Sequence, residues 1–255
     1  MPSAICALDA FKGAAGAFIV TDFFAAGLSA ETETQQGVNA VDAAKEAGVG
    51  HVVFSTLEDV RKYVPKGAIP ELSHAPGRVV AHFESKDAVM EHMKALGVPW
   101  TALLTCVYMD NFATRWQYQR QPDGTRTWSD NIGSKPMATH AVADIGGSAA
   151  VVFADPGKYA GNVIPVVREH LSWPHAAEVI TEVTGISVKY VQMSDEQFKT
   201  LPFQFAEDCG NMFRYYRDFD TYDKLRPVEE TIFRGPSFRE WAVDNREALL
   251  AALNE

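Results

Sequence analysis

The chain has 255 residues, of which 47% are hydrophobic and 22% charged, enough apolar material for one domain or two closely packed ones and unlike a disordered segment. Its formal net charge of -10 excludes the strong nonspecific grip on nucleic acid that basic residues give by neutralising phosphates. A regulatory role would therefore run through proteins rather than DNA.

Short apolar runs alternate with helical periods, the pattern of a parallel sheet with helices on both faces. AGAFIV (15–20) reads as a first buried strand. After a polar stretch, QQGVNAVDAAKEAG (35–48) reads as a helix, with Val38, Val41 and Ala44 at helical spacing and Gly48 as its stop. HVVFS (51–55) is the next strand, 64–78 a loop rich in Pro and Gly, and RVVAHFESKDAVMEHMKALG (78–97) a long amphipathic helix ending at Gly97. WTALLTCVY (100–108) is the third strand. PDG at 122–124 is a turn, 142–154 a helix and NVIPVV (162–167) a strand. Beyond it, Ser172-Trp173-Pro174 opens a helix through 184 and ISVKYVQM (186–193) is a strand, while Ser194/Gln197 and Ser237/Glu240 have capping-box spacing. The run Phe213-Arg214-Tyr215-Tyr216-Arg217 reads as a helix with aromatics inward and arginines snorkelling. The expected architecture is an α/β fold: a parallel-sheet core with helices on both faces over 1–167, which the resemblance given below implies to be an incomplete Rossmann-like domain, and a smaller α/β C-terminal lobe over 168–255, with contributions from about 108–137.

Cys6, Cys106 and Cys209 lie far apart with no CxxC spacing, which points to buried thiols in a reducing compartment. The opening MPSAICALDAFKG has no signal-peptide pattern, and no apolar run reaches the ~20 residues that span a bilayer. The expectation is a cytoplasmic protein, with nuclear access open, that binds neither membrane nor nucleic acid. The histidines lack a clustered carboxylate or thiolate set, so no metal site is expected, and no GxSxG elbow supports a hydrolase.

In an open parallel sheet, ligands bind outside the carboxyl ends of the strands. The residues there are Thr21-Asp22-Phe23, Ser55-Thr56 and Tyr108-Met109-Asp110-Asn111. Small hydroxyls, an amide and aromatics suit a planar polar ligand, although any one such residue is more often a turn former. A second constellation is His82-Phe83-Glu84-Ser85-Lys86, where spacing of four sets His82 and Lys86 on one helix face. An ammonium there could hold a sugar hydroxyl; the plainer reading is a surface lysine beside a surface histidine.

The segments VTDFF (20–24), HVVFSTLEDV (51–60), HFESK (82–86), VYMDNF (107–112) and NMFRYY (211–216) together resemble the NmrA-like family. These are atypical short-chain dehydrogenase/reductases, related to isoflavone and triphenylmethane reductases. The resemblance runs nearly end to end. It implies a Rossmann domain and a smaller C-terminal lobe that bind NADP(H), often in a redox-sensing regulator rather than a turnover enzyme. It places cofactor contacts on Thr21, Asp22, Phe23, Lys86 and Tyr108 through Asn111, with Asp22 standing where asparagine is usual and Gln35 where several members carry a lysine.

Family members open with a strand, a Gly-rich turn and a helix that hold the pyrophosphate. Here Gly13 and Gly16 lie before and at the start of the first strand instead of following one, so the resemblance lacks the N-terminal Gly-rich βαβ portion. Losing several charge-assisted hydrogen bonds at ~1.5–3 kcal/mol each predicts weak NADP binding or none. In the usual strand order AGAFIV would then have a bare edge, which predicts a homodimer or a protein partner through about residues 15–22. Three functions stay open: a regulator acting through protein contacts, an NAD(P)H-dependent reductase in which Lys86 anchors the nicotinamide ribose and His82 donates a proton, and a purely structural or decoy product.

Overall fold

The computed structural model describes residues 4–219 and 221–254, with side chains from residue 8 onward. The opening Met1–Ser3 and the Cys6 side chain, both used in the sequence reading, lie outside the described residues. The described chain divides into two units, one of Met1–Thr105 with Ile145–Val166 and one of Cys106–Asp144 with Val167–Glu255. Segment 106–144 thus belongs wholly with the second unit, and the chain returns to the first through 145–166.

The first unit begins with α1 (Ala4–Phe11) and β1 (Gly16–Ile19). α2 (Ala30–Glu46) starts five residues before the helix read at 35–48. Ser29 is the reason: its backbone is extended and its hydroxyl accepts from the Thr32 N–H, while Glu31 and Glu33 sit in the first turn, where the helix dipole favours anions. β2 (His51–Thr56), α3 (Ala81–Leu96) and β3 (Trp100–Leu104) follow. α3 ends on Gly97 in the left-handed region at φ 72°.

The run read as one strand over 100–108 is two. β4 (Val107–Tyr108) leaves the first sheet, because its residues align with Thr139 and His140 rather than continuing β3. α4 (Asn111–Thr114), the antiparallel β5 (Gln119–Arg120) and β6 (Arg126–Asp130) around the 122–124 turn, and β7 (Met137–His140) complete that stretch. α5 (Val142–Ala154) begins in the second unit and runs into the first from Ile145, followed there by α6 (Pro156–Tyr159) and β8 (Val163–Pro165).

All pairings in the first sheet are parallel, in the order β1-β2-β3-β8. Ala17, Ile19, Val52, Phe54 and Ala102 of its strands form one core with Val41 and Ala44 of α2 and Val89, Met90 and Met93 of α3. On the other side, Phe153 of α5 lies over Gly16. This is the Rossmann-type arrangement of a parallel sheet between helices.

The second unit continues with β9 (Glu169–Leu171), α7 (Trp173–Thr184), β10 (Val188–Gln192), α8 (Asp195–Lys199), α9 (Ala206–Asp218), α10 (Thr221–Lys224), α11 (Phe238–Asp244) and α12 (Arg246–Asn254). It holds two three-stranded sheets, β10-β6-β5 and β4-β7-β9. Ser172 caps α7, and both capping boxes, Ser194/Gln197 and Ser237/Glu240, are formed. In α9, Phe213, Tyr215 and Tyr216 are buried, while Arg217 pairs with Asp195 and Asp218. No described helix is long and apolar enough to cross a membrane.

Candidate functional site

The first unit gathers most of the residues singled out above at the end of β1 and the start of α3. Thr21 is buried and Asp22 exposed. The Asp22 carboxylate accepts from the N–H groups of Phe24 and Ala25 at 2.9 and 3.2 Å, closing an Asx-type turn. Phe23 is buried against Ala30, Leu72 and Ala81. Ser55 lies inside β2, buried beside Leu103 of β3. Gln35 is exposed on α2 and its amide donates to Asn39 at 2.8 Å.

Within His82-Phe83-Glu84-Ser85-Lys86, Glu84, Ser85 and Lys86 each hold internal hydrogen bonds. Val80 caps α3 without a side-chain bond; instead Glu84 folds back and accepts from the N–H groups of Val79 and Val80 at 2.7 and 3.0 Å. Burial raises its carboxyl above the ordinary value, opposed by those two bonds and by Arg61, whose guanidinium is 3.2 Å away. Ser85 donates to Glu33 Oε2. Lys86 Nζ donates to Thr21 O at 2.5 Å, to Thr21 Oγ1 at 3.0 Å and to Glu33 Oε1 at 2.8 Å. The Glu33 side chain is 0% exposed and that of Lys86 13%. His82 is half-buried, its ring edge-on to Phe83 at 4.8 Å and tilted over Phe23 at 5.9 Å.

Tyr108, Met109, Asp110 and Asn111 belong to the second unit. Met109 is buried and its N–H donates to His140 O at 2.8 Å. Asp110 Oδ2 accepts from the Val142 N–H at 2.8 Å, satisfying the first amide of α5. Asn111 starts α4, and its carbonyl accepts from Arg115 and Trp116. The Tyr108 ring stands edge-on to His140 at 5.2 Å. His140 is fully buried, its Nδ1 is 2.7 Å from Ala141 O, and Nε2 has no hydrogen-bond partner. Burial lowers its pKa to about 4.

Three residues that matter here were not singled out from the sequence. Glu33 had a signal, Ser29 followed by acids in the first helical turn, which would have extended α2 and put Glu33 on the face of Gly37. His140 and Asp130 had none, since their burial follows from tertiary packing. Asp130 accepts from Trp173 Nε1 at 2.7 Å and Tyr190 OH at 2.8 Å, and burial raises its pKa to about 6. Among the described residues no group of three or more His, Cys, Asp or Glu is placed to hold a metal.

The comparisons with known proteins agree with this fold. The nitrogen metabolite repression protein nmr of Neurospora crassa is 31% identical over 193 residues, 72% of this chain and 36% of that protein. The chain spans between about a third and about half of the length of the first curated relatives it matches. A crystal structure of NmrA, described as a negative transcriptional regulator, superposes with a TM-score of 0.74 at 22% identity, covering 95% of this chain and 77% of that one. NmrA in complex with NADP gives a TM-score of 0.69 at 21% identity, over 94% and 76% of the two chains. Residues 7–243 match the NmrA-like family, and the chain belongs to it.

Proposed function

We propose that this chain is a regulatory NmrA-like protein that acts through contacts with other proteins, with its affinity for NADP weakened or lost. The regulatory role is supported by the likeness to the nitrogen metabolite repression proteins, and the observation that carries the weakened affinity is the saturation of Lys86. An ammonium has three protons, and Thr21 O, Thr21 Oγ1 and Glu33 Oε1 take them. To reach a ribose hydroxyl, Lys86 would give up a charge-assisted bond in a buried pair, at a cost of about 1.5–3 kcal/mol. Asp22, exposed at the end of β1, adds a charge of the same sign as a phosphate. Both features speak against tight nucleotide binding, and the NADP complex of an NmrA structure makes NADP the ligand to test. The reductase reading needs Lys86 free to anchor the cofactor and His82 free to give a proton. The first is bound internally, and the second packs among Phe23, Phe24 and Phe83.

The test is a calorimetric titration of the purified chain with NADPH, followed by addition of a quinone or a triphenylmethane dye while nicotinamide absorbance is recorded. The expected result is no saturable heat at micromolar nucleotide and no oxidation. Micromolar binding without turnover would restore a cofactor-sensing regulator, and binding with turnover would replace the proposal with a reductase.

A further inference from the structure

A long connection, residues 57–80, joins β2 to α3 and holds only a single 3-10 turn at Val60–Lys62. Loops of that length in a compact domain are commonly lids or binding loops. Its segment 61–78 carries Arg61, Lys62, Lys66 and Arg78 against one acid, Glu71, in a chain of net charge -10. Only Ile69 and Leu72 of this segment are buried. Its two ends meet, since Arg61 Nη1 donates to Gly77 O at 2.8 Å. Both ends also converge on Glu84, whose Oε2 lies 3.2 Å from the Arg61 guanidinium and 3.5 Å from that of Arg78. Arg78 further holds Glu31 at 2.7 Å, and Lys62 holds Asp87 at 2.5 Å. Leu72, 1% exposed, anchors the segment in a small cluster with Phe23, Ala30 and Ala81, the kind of satellite that forms under a long loop.

We infer that segment 61–78 is a lid: it opens as one body while the sheet stays folded, and Leu72 is the stopper of an apolar pocket made by Phe23, Ala30 and Ala81. Local opening is drawn from parts with few buried contacts, and here two buried side chains anchor the whole segment. The rest of the hold is charge pairing. The Arg61 and Lys62 side chains are 42% and 43% exposed, so water and salt reach their pairs and weaken them. The segment keeps its own shape through internal bonds. Leu72 N–H donates to Arg78 O at 2.8 Å, Ala75 N–H to Leu72 O at 3.1 Å and Gly77 N–H to Glu71 Oε2 at 2.7 Å, while Pro65, Pro70 and Pro76 restrict the backbone between them. Gly77, at φ 84° beside the neck, supplies the backbone freedom of a hinge. The pocket lies beyond the end of β1, where an open parallel sheet takes its ligands, and the His82 ring tilts over Phe23 at 5.9 Å. An aliphatic or aromatic group of a ligand would fill the place that Leu72 fills, so the closed lid excludes it. This inference does not depend on the nucleotide reading.

Thiol labelling of the full chain, with its native cysteines replaced by alanine, tests it. Ala81→Cys sets a thiol under the lid, and Ala102→Cys sets one in the sheet core, where the residue is 0% exposed. The first is expected to react about tenfold or more faster than the second, because it needs only local opening. Arg61→Gln combined with Arg78→Gln should speed labelling of Ala81→Cys about tenfold again and leave Ala102→Cys unchanged. Raising salt from about 0.05 to about 0.5 M should speed Ala81→Cys in the chain that keeps both arginines and do little once they are gone. Leu72→Ala should speed it as well. Ala81→Cys reacting no faster than Ala102→Cys would overturn the proposal, and so would a rate indifferent to both the arginine changes and salt. If the arginine changes speed both sites equally, the salt series on the chain that keeps them decides, and a uniform rise there too would show that the segment opens only with the whole fold.

Discussion

Replacing Lys86 by alanine separates a lysine that serves the fold from one that serves a ligand. In the wild type Glu33 is fully buried, and its carboxylate is met by Lys86 on one oxygen and Ser85 on the other. Lys86→Ala leaves that carboxylate buried with only the hydroxyl. Removing one partner of a buried pair costs about 3–5 kcal/mol. The 13% exposure of the Lys86 side chain lets water reach the site, which places the loss near the lower end, about 3 kcal/mol. In urea, where small domains lose roughly 1–3 kcal/mol per molar, the unfolding midpoint should fall by one molar or more. Glu33→Gln combined with Lys86→Met removes both charges and keeps the volume, and it should recover most of the loss, with a coupling energy of about 2 kcal/mol in a double-mutant cycle. The reasoning fails if Lys86→Ala costs less than about 1 kcal/mol, as for an exposed pair, or if the cycle shows no coupling.

Two buried groups of the second unit should give opposite pH dependences. Burial raises Asp130 from 3.8 to about 6, so its contribution to stability is complete below the unfolded value and is lost as pH rises through 6. Burial lowers His140 from 6.5 to about 4, so its contribution is complete above 6.5 and is lost as pH falls through 4. Each displacement is worth about 3 kcal/mol, and between pH 4 and 6 the two offset. Asp130→Asn should therefore gain stability with rising pH relative to wild type and His140→Gln should lose it, and three parallel denaturation profiles would sink the assignment. Gly37 faces α3 so closely that a Cβ would overlap Val89 Cγ2 and lie 2.8 Å from Cγ1. Gly37→Ala should cost about 1–3 kcal/mol by overpacking, with part regained when Val89→Ala is added; an unchanged melting temperature for the single variant would show that the helices can move apart.

The sheet and most helices were legible because their signals are local. Ser172 before Trp173-Pro174, the two capping boxes and the 142–154 helix needed only periodicity and end chemistry, and the structure has each of them. The errors arose where a local signal was passed over or where long-range pairing decided. Ser29 was read as part of a polar stretch, which hid the first turn of α2 and Glu33 with it. WTALLTCVY is continuous in hydrophobicity, so nothing local marks the point at which Val107 and Tyr108 join β7 instead of following β3.

HFESK illustrates the limit on reading function from such a sequence. Spacing of four sets His82 and Lys86 on one helix face, which suggests a ligand contact as readily as a surface lysine beside a surface histidine. What Ser85 and Lys86 do depends on a residue about fifty positions away. Glu33, on α2, turns Ser85 and Lys86 from candidate ligand contacts into the two ends of a buried clamp, and the bare amides of Val79 and Val80 turn Glu84 into a cap. Gly37 lets α2 come close enough to α3 for the clamp to close. The same turn of helix could present Lys86 to a cofactor only if Glu33 found another partner, so the balance between structural and ligand-binding roles rests on that one carboxylate.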